Sequence, residues 1–240
     1  MTIRDWEGIA LIIGAGDIGK SMSDYLTNVS PKLDVYLCGR NTKKRENWIY
    51  IDLENDDSFV SFEKQISLFK KPIRLVINTS GFLHSSHLRP EKRLSHLNRS
   101  NIIKNFSINA IAPILIAKSI EKFIRPEFPF SYASLSARVG SIGDNRLGGW
   151  YSYRASKAAQ NQFLKTLSIE WRRKFPLSIV SILHPGTCDT KLSKPFQSGV
   201  LKEKLFTPAQ SSEYLINIIS EQKPNDSGKF LAWDSTVIPW

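Results

Sequence analysis

Hydrophobic residues along this 240-residue chain fall into short apolar runs and helical stripes that alternate from one end to the other. Residues 9–13 form an unbroken apolar run too short for a helix, and they read as a strand. Residues 33–37, 48–51, 73–77, 128–135, 177–183 and 229–233 read as further strands. Between them, apolar residues at helical spacing predict helices over 18–28, 56–69, 101–125, 150–175 and 208–220. In the 150–175 segment Ala158, Ala159, Phe163, Leu167 and Trp171 carry the stripe, and Pro176 stops it. Strands and helices in this alternation require right-handed βαβ crossovers. The predicted fold is therefore α/β, a doubly wound parallel sheet (Rossmann fold) in one domain over 1–240. Residues 192–206 are expected to form a substrate lid. No internal repeat or low-complexity tract interrupts the pattern.

The strand ends carry the chemistry. The first strand runs into Gly14-Ala15-Gly16-Asp17-Ile18-Gly19 and then a helix. Glycines in that context let the backbone turn tightly and approach a pyrophosphate, which sits on the amide-rich helix N-terminus. Gly14, Gly16, Asp17 and Gly19 are thus candidate cofactor residues. The second strand ends at Cys38-Gly39-Arg40-Asn41, without the acid that would hold the ribose hydroxyls of NAD. Arg40 stands where a guanidinium can grip a 2′-phosphate, and Lys43 and Lys44 add to the positive field. NADP(H) is the preferred cofactor, with NAD(H) possible. Asp52, followed by Leu53, can accept from an adenine amine or cap a helix. In Asn78-Thr79-Ser80-Gly81 the small residues allow close approach of a cofactor, and Asn78 can tie neighbouring strands. Pro185-Gly186, after His184, gives a sharp exit at the carboxyl edge of the sheet, where ligands of open α/β folds bind.

Tyr153 and Lys157 are four residues apart, one turn along the same helix face. A phenol has a pKa of about 10. An ammonium one turn away favours the phenolate and lowers that value, so the pair can exchange a proton near neutral pH. Pro113 follows Asn109 by four residues and removes a backbone hydrogen bond, which frees the Asn109 carbonyl for a water or a lysine.

Composition narrows the classes. No apolar run approaches the ~18 residues that suggest a membrane span. Residues 1–8 carry Arg4, Asp5 and Glu7 and lack the apolar core of a secretory leader. Cys38 and Cys188 form neither a disulfide framework nor a metal spacing, which fits a reduced, cytoplasmic setting. The net charge is +11, from 33 basic and 22 acidic residues, but the basic residues are scattered and no nucleic-acid motif accompanies them. Neither a nucleic-acid nor a membrane partner is expected. His84, His87 and His96 lack a closed set of metal ligands and read as substrate-entry residues.

Taken in order, the glycine turn, Asn78 to Gly81, Asn109, Tyr153-x-x-x-Lys157 and Pro185-Gly186 resemble the short-chain dehydrogenase/reductase family over essentially the whole chain. The stretches Ser136 to Ile142, Gly148 to Lys157, His184 to Thr187 and Leu192 to Phe196 resemble its C-factor-like, cell-cell signalling subgroup. The resemblance implies an oxidoreductase that interconverts a carbonyl and an alcohol in a small-molecule substrate. It makes Tyr153 the general acid, has Lys157 bind the nicotinamide ribose and keep the Tyr pKa low, and gives Asn109 a relay water. It asks a serine, Ser136 or else Ser141, to meet the developing oxyanion. Ile18 is to lie along the cofactor cleft and Thr190 to bond the nicotinamide carboxamide. Helices 101–125 and 150–175 are to pair across two-fold axes, giving a homodimer or homotetramer. Two departures stand out. Gly14 and Gly19 are five apart, one fewer than is usual in the family. Counting back from Gly140 puts Ala137 at the family's serine position, with Ser136 one step earlier, and a one-residue slip can reverse a side chain. A dinucleotide-binding sensor with little turnover is the alternative.

Overall fold

The computed structural model describes residues 2–40 and 47–240. The expected contribution of Lys43 and Lys44 lies outside them. The strands are β1 (Gly8–Ile13), β2 (Leu33–Gly39), β3 (Trp48–Tyr50), β4 (Ile73–Asn78), β5 (Phe130–Leu135), β6 (Ser178–His184), β7 (Thr187–Cys188), β8 (Leu205–Phe206) and β9 (Phe230–Ala232). The helices are α1 (Asp17–Val29), α2 (Asp56–Ile66), α3 (Arg99–Phe106), α4 (Ala112–Glu121), α5 (Tyr151–Lys174) and α6 (Pro208–Glu221). Among the described residues, seven strands make one sheet in the order β3-β2-β1-β4-β5-β6-β9, and every neighbouring pair is parallel.

β1 explains why its sequence shows no polar alternation. All six of its residues are buried. Ile9, Leu11 and Ile13 join the core on one face, while Ala10 and Ile12 join the core on the other. A strand covered on both faces must be apolar throughout. Phe59 and Phe62 of α2, Ile116 and Ile120 of α4, and Leu164 and Trp171 of α5 build the first core. Met22 and Leu26 of α1 with Leu215, Ile216 and Ile219 of α6 build the second. From β1 the chain crosses to β2 on one side and later to β4 on the other. That reversal opens a crevice at the carboxyl ends of the strands.

Two regions depart from the sequence pattern. The expected helix over 101–125 is broken into α3 and α4 by a π turn over Ser107–Ile111. In it the Ala112 N–H bonds the Ser107 carbonyl, five residues back. The wider turn relieves the clash that the Pro113 ring would make with the preceding turn of an α-helix. The segment proposed as a lid is pinned at both ends by a two-residue parallel ladder that no periodicity announces: Thr187 pairs with Leu205 and Cys188 with Phe206.

The glycine turn divides its labour. Gly14 has φ +104°, and a Cβ there would lie 2.8 Å from Thr79 Oγ1. At Gly19 a Cβ would stand 1.8 Å from the Gly14 carbonyl oxygen. At Gly16 it would meet nothing within 4 Å. Two glycines are thus required by the fold, and the middle one faces open space. Gly19→Ala should lower the unfolding free energy by about 1–3 kcal/mol through overpacking, and Gly16→Ala should change it by less than ~0.5 kcal/mol. Urea denaturation reads both; equal losses would contradict this division.

Candidate active site

A cavity of about 620 Å³ occupies the crevice. Of the residues expected at a cofactor, Gly14, Gly16, Asp17, Ile18, Gly19, Arg40, Asp52, Leu53, Gly81 and Thr190 line it. Gly16 is the N-cap of α1 and supplies no capping side chain, so the first amides of that helix have no side-chain acceptor. Arg40 is 70% exposed and lies 3.9 Å from Glu54, whose carboxylate is held more closely by Lys104 at 2.5 Å. Asp52 faces the cavity and accepts from the Glu54 amide at 3.2 Å, while the capping of α2 falls to Asn55. Asp17 accepts from the Lys191 amide at 3.2 Å and so ties the glycine turn to the 190–192 segment.

Five expected cofactor residues lie off the cavity lining: Asn78, Tyr153, Lys157, Pro185 and Gly186. Asn78 stands behind it, donating to Ser134 across the β4–β5 pair at 2.9 Å and accepting from the Ser80 amide at 3.2 Å. It ties strands, as the sequence suggested. Pro185 and Gly186 are absent from the lining. At Gly186, with φ +75°, a Cβ would lie 2.6 Å from the Phe206 ring, so this glycine serves close packing under Phe206 and Trp233.

Tyr153 and Lys157 are both buried, and the Lys157 Nζ lies 6.0 Å from the centre of the Tyr153 ring. That Nζ donates to the Leu135 carbonyl and to Gln160 Oε1, each at 2.9 Å. The partner expected from Pro113, the Asn109 carbonyl, is not among its direct bonds. Asn109 works through its side chain instead. Its Oδ1 accepts from the Phe82 amide at 2.7 Å, and its Nδ2 donates to the Phe82 carbonyl at 2.8 Å and to Ser156 Oγ at 3.0 Å. Ser156 Oγ in turn donates to the Tyr153 carbonyl at 2.9 Å.

Neither candidate serine meets Tyr153. Ser136 Oγ donates to Asn161 at 2.6 Å, and Ser141 Oγ accepts from the Asp144 amide at 3.1 Å. The Ser136 amide still bonds the Leu183 carbonyl at 2.7 Å. Sheet register therefore persists through residue 136, and the alternation of the strand directs its hydroxyl to Asn161. The acid-base expectation also changes sign. Burial raises the Tyr153 pKa above that of a free phenol and lowers that of Lys157 to about 7. Removing water penalises the charged form of each group. Tyr153 is thus a neutral phenol, a proton donor, at physiological pH.

The pattern of apolar positions missed a polar chain behind these residues. Glu91 is 1% exposed. Its Oε1 accepts from Asn101 Nδ2 at 2.5 Å and from Ser152 Oγ, and its Oε2 accepts from the Ser152 amide at 3.1 Å. Its carbonyl accepts from the Trp150 amide at 2.5 Å. Trp150, the N-cap of α5, has φ +51° and gives no capping side chain, so Glu91 caps the helix from outside. From Asn101 the chain continues by one-turn steps. Asn105 Nδ2 donates to Asn101 Oδ1 at 3.0 Å, and Asn109 Nδ2 lies 3.2 Å from Asn105 Oδ1, which shares one of the two Nδ2 hydrogens with the acceptors above. The signal in the sequence was asparagine at 101, 105 and 109 with an acid in the polar stretch before it.

Glu91→Ala should destabilise the fold by about 1–3 kcal/mol, since it leaves buried donors unsatisfied, with Glu91→Gln costing less; denaturation midpoints that do not move would sink the external cap. Lys157 binds its proton at about 7 in the folded state against 10.5 in the reference state. Between those values the unfolded chain holds the extra proton, so stability rises with pH across that window. Lys157→Met should therefore raise Tm at pH 7 and flatten its climb from pH 7 to 10, measured by thermal melts; an unchanged slope would count against this assignment.

Known proteins share this pattern. The short chain dehydrogenase family model matches residues 8–200. The C-signal protein of Myxococcus xanthus is 28% identical over 148 residues, which is 61% of this chain and 83% of that protein. The 1-hydroxy-2-glutathionyl-2-methyl-3-butene dehydrogenase of Rhodococcus sp. strain AD45 is 32% identical over 141 residues, and the match spans 58% of each chain. An NADPH-bound carbonyl reductase from chicken fatty liver shares the fold with a TM-score of 0.83 at 21% identity, covering 100% of both chains. A match that runs through residues 8–200, on a sheet of this strand order, makes the chain a member of the short-chain dehydrogenase family of NAD(P)-dependent oxidoreductases.

Proposed function

We propose that this protein uses NADP(H) to interconvert a carbonyl and an alcohol in a small or medium apolar molecule. The observation that carries the reading is a neutral, buried phenol paired with a buried lysine beside a cleft that has an uncapped helix N-terminus and a guanidinium at its other end. The open space at Gly16 fits the approach of a diphosphate to the first amides of α1. Arg40 is the residue for a 2′-phosphate. Its contact with Glu54 is long and exposed, hence weak, and Lys104 already neutralises that carboxylate. A forked bond to phosphate outcompetes such a pair. Asp52 and Leu53 border the adenine position, and Ile18 and Thr190 the run toward the nicotinamide. The bound dinucleotide supplies the hydride.

The chain supplies the proton and the geometry. Tyr153, held as a phenol, gives its proton to the carbonyl oxygen. Lys157 shares its charge with the sugar hydroxyls and with the phenolate left behind. Asn109 and Ser156 hold the tyrosine's turn of helix against the loop at Phe82. A dinucleotide-binding sensor with little turnover is the second reading, and the direction of the Ser136 hydroxyl favours it. Self-association through α3 and α5 is supported by the exposure of Ile103, Phe163 and Ile169.

Tyr153→Phe should cut NADPH-dependent reduction of ketones and aldehydes by about 10²-fold or more, with NADPH affinity unchanged within a few-fold; absorbance kinetics and calorimetry check both halves. Unchanged turnover would remove the proposed acid. Arg40→Asp should weaken NADPH by about tenfold or more, the worth of charge-assisted hydrogen bonds, while NADH changes far less. Equal losses for the two cofactors would end the NADP(H) preference.

A further inference from the structure

We infer that the substrate of this site is a planar aromatic carbonyl compound, whose ring is received by Trp150, Phe196 and His84. The inference deepens the carbonyl reading and rests on it. Tyr153 is 7% exposed, and the Trp150 ring meets it edge-on with centroids 6.2 Å apart and planes at 73°. Phe196, in the short turn Lys194–Phe196, meets Trp150 at 5.0 Å and 64°. On its other side Phe196 meets His84 at 5.5 Å and 74°. The rings therefore run in one chain, His84 to Phe196 to Trp150 to Tyr153, from the cofactor cleft to the phenol. His84 itself lines the cleft.

The members differ in how they are held. Trp150 is a fixed wall. Its backbone sits at φ +51°, a conformation that costs a non-glycine residue energy and persists only under surrounding constraint. That constraint is the bond from its amide to the Glu91 carbonyl and the capped helix that follows. Phe196 lies on the 189–204 excursion, whose root is held by the β7–β8 ladder, by His84 Nε2 at 3.1 Å from the Leu192 carbonyl and by Asp17 on the Lys191 amide. In the inferred pose the substrate ring enters between Phe196 and Trp150, whose ring centres are 5.0 Å apart, and parts them as its carbonyl oxygen reaches the Tyr153 hydroxyl. Each edge-to-face pair given up weighs about two- to tenfold in an equilibrium constant. A planar aromatic ring entering between them restores the same edge and face contacts, with its carbonyl directed at Tyr153. An alicyclic ring of equal size has no quadrupole and restores only the apolar burial.

The test uses acetophenone and cyclohexyl methyl ketone, matched in size, the second slightly the more hydrophobic, so burial alone predicts the reverse order. Binding is measured by calorimetry on the Tyr153→Phe protein with and without NADPH, and turnover on the natural sequence. Acetophenone should bind about tenfold more tightly and show a similarly higher kcat/KM. The ratio should fall to about one in Trp150→Leu and in Phe196→Leu, which keep apolar bulk; urea midpoints confirm that they remain folded. A ratio near one in the natural sequence, a ratio that survives both substitutions, or no binding of either ketone overturns the inference. Preferential aromatic binding without any turnover keeps the aromatic site and removes the reductase reading. Turnover of both ketones with equal constants does the opposite.

Discussion

A buried carboxylate at the head of α5 is the constraint on which the site depends. The buried Glu91 is satisfied by three donors on its carboxyl oxygens and a fourth on its backbone carbonyl. Satisfying it fixes three things together: the polar segment that carries it, the start of α3 through Asn101, and the first turn of α5 through Trp150 and Ser152. Tyr153 is the next residue. Its position is therefore set by backbone and side-chain bonds made at the N-cap and in the first turn of the helix. The asparagine steps from Asn101 to Asn109 extend the same block to Phe82 at the edge of the cleft. An apolar interior would have left these helices free to slide on one another, whereas a fully bonded polar chain has one register.

The two halves of the crevice differ in kind. The cofactor half is open and bordered by backbone, because Gly14 and Gly19 bring turn and helix together and Gly16 keeps the space before the α1 amides clear. The half around Tyr153 is closed by rings. That closure has an electrostatic result: without water, the phenol keeps its proton and the lysine holds its own less firmly. In the proposed reaction this pair gives a proton to the substrate, and charge separation between the two becomes favourable only when a partner shares it.

Lys157 and Ser136 show how strand ends apportion side chains. The ammonium is taken up by the last carbonyl of β5 and by Gln160, which itself reaches Ser134. Ser134 also receives the bond from Asn78. One short stretch of β5 therefore ties β4 to α5, and the residue that follows it, Ser136, is committed to Asn161 on the next turn.

The sequence by itself determined the alternation of strands and helices, the parallel sheet, the glycine turn at its switch point and the shared face of Tyr153 and Lys157. Each of these follows from periodicity or from geometry within a few residues, and those are properties of the chain alone. Strand ends held to within two residues for the same reason. The tertiary structure alone decided the rest. Pro113 could be read as a lost hydrogen bond, but its answer, a π turn, depends on packing along the whole of α3 and α4. The cap from Glu91 spans 61 residues to Ser152, so no local pattern contains it. Ser136 was found by counting, and a count does not fix which face of a strand end a hydroxyl takes. The sign of the Tyr153 shift was misread from spacing because spacing reports the neighbouring charge, while burial, which several distant segments impose together, is the larger effect here.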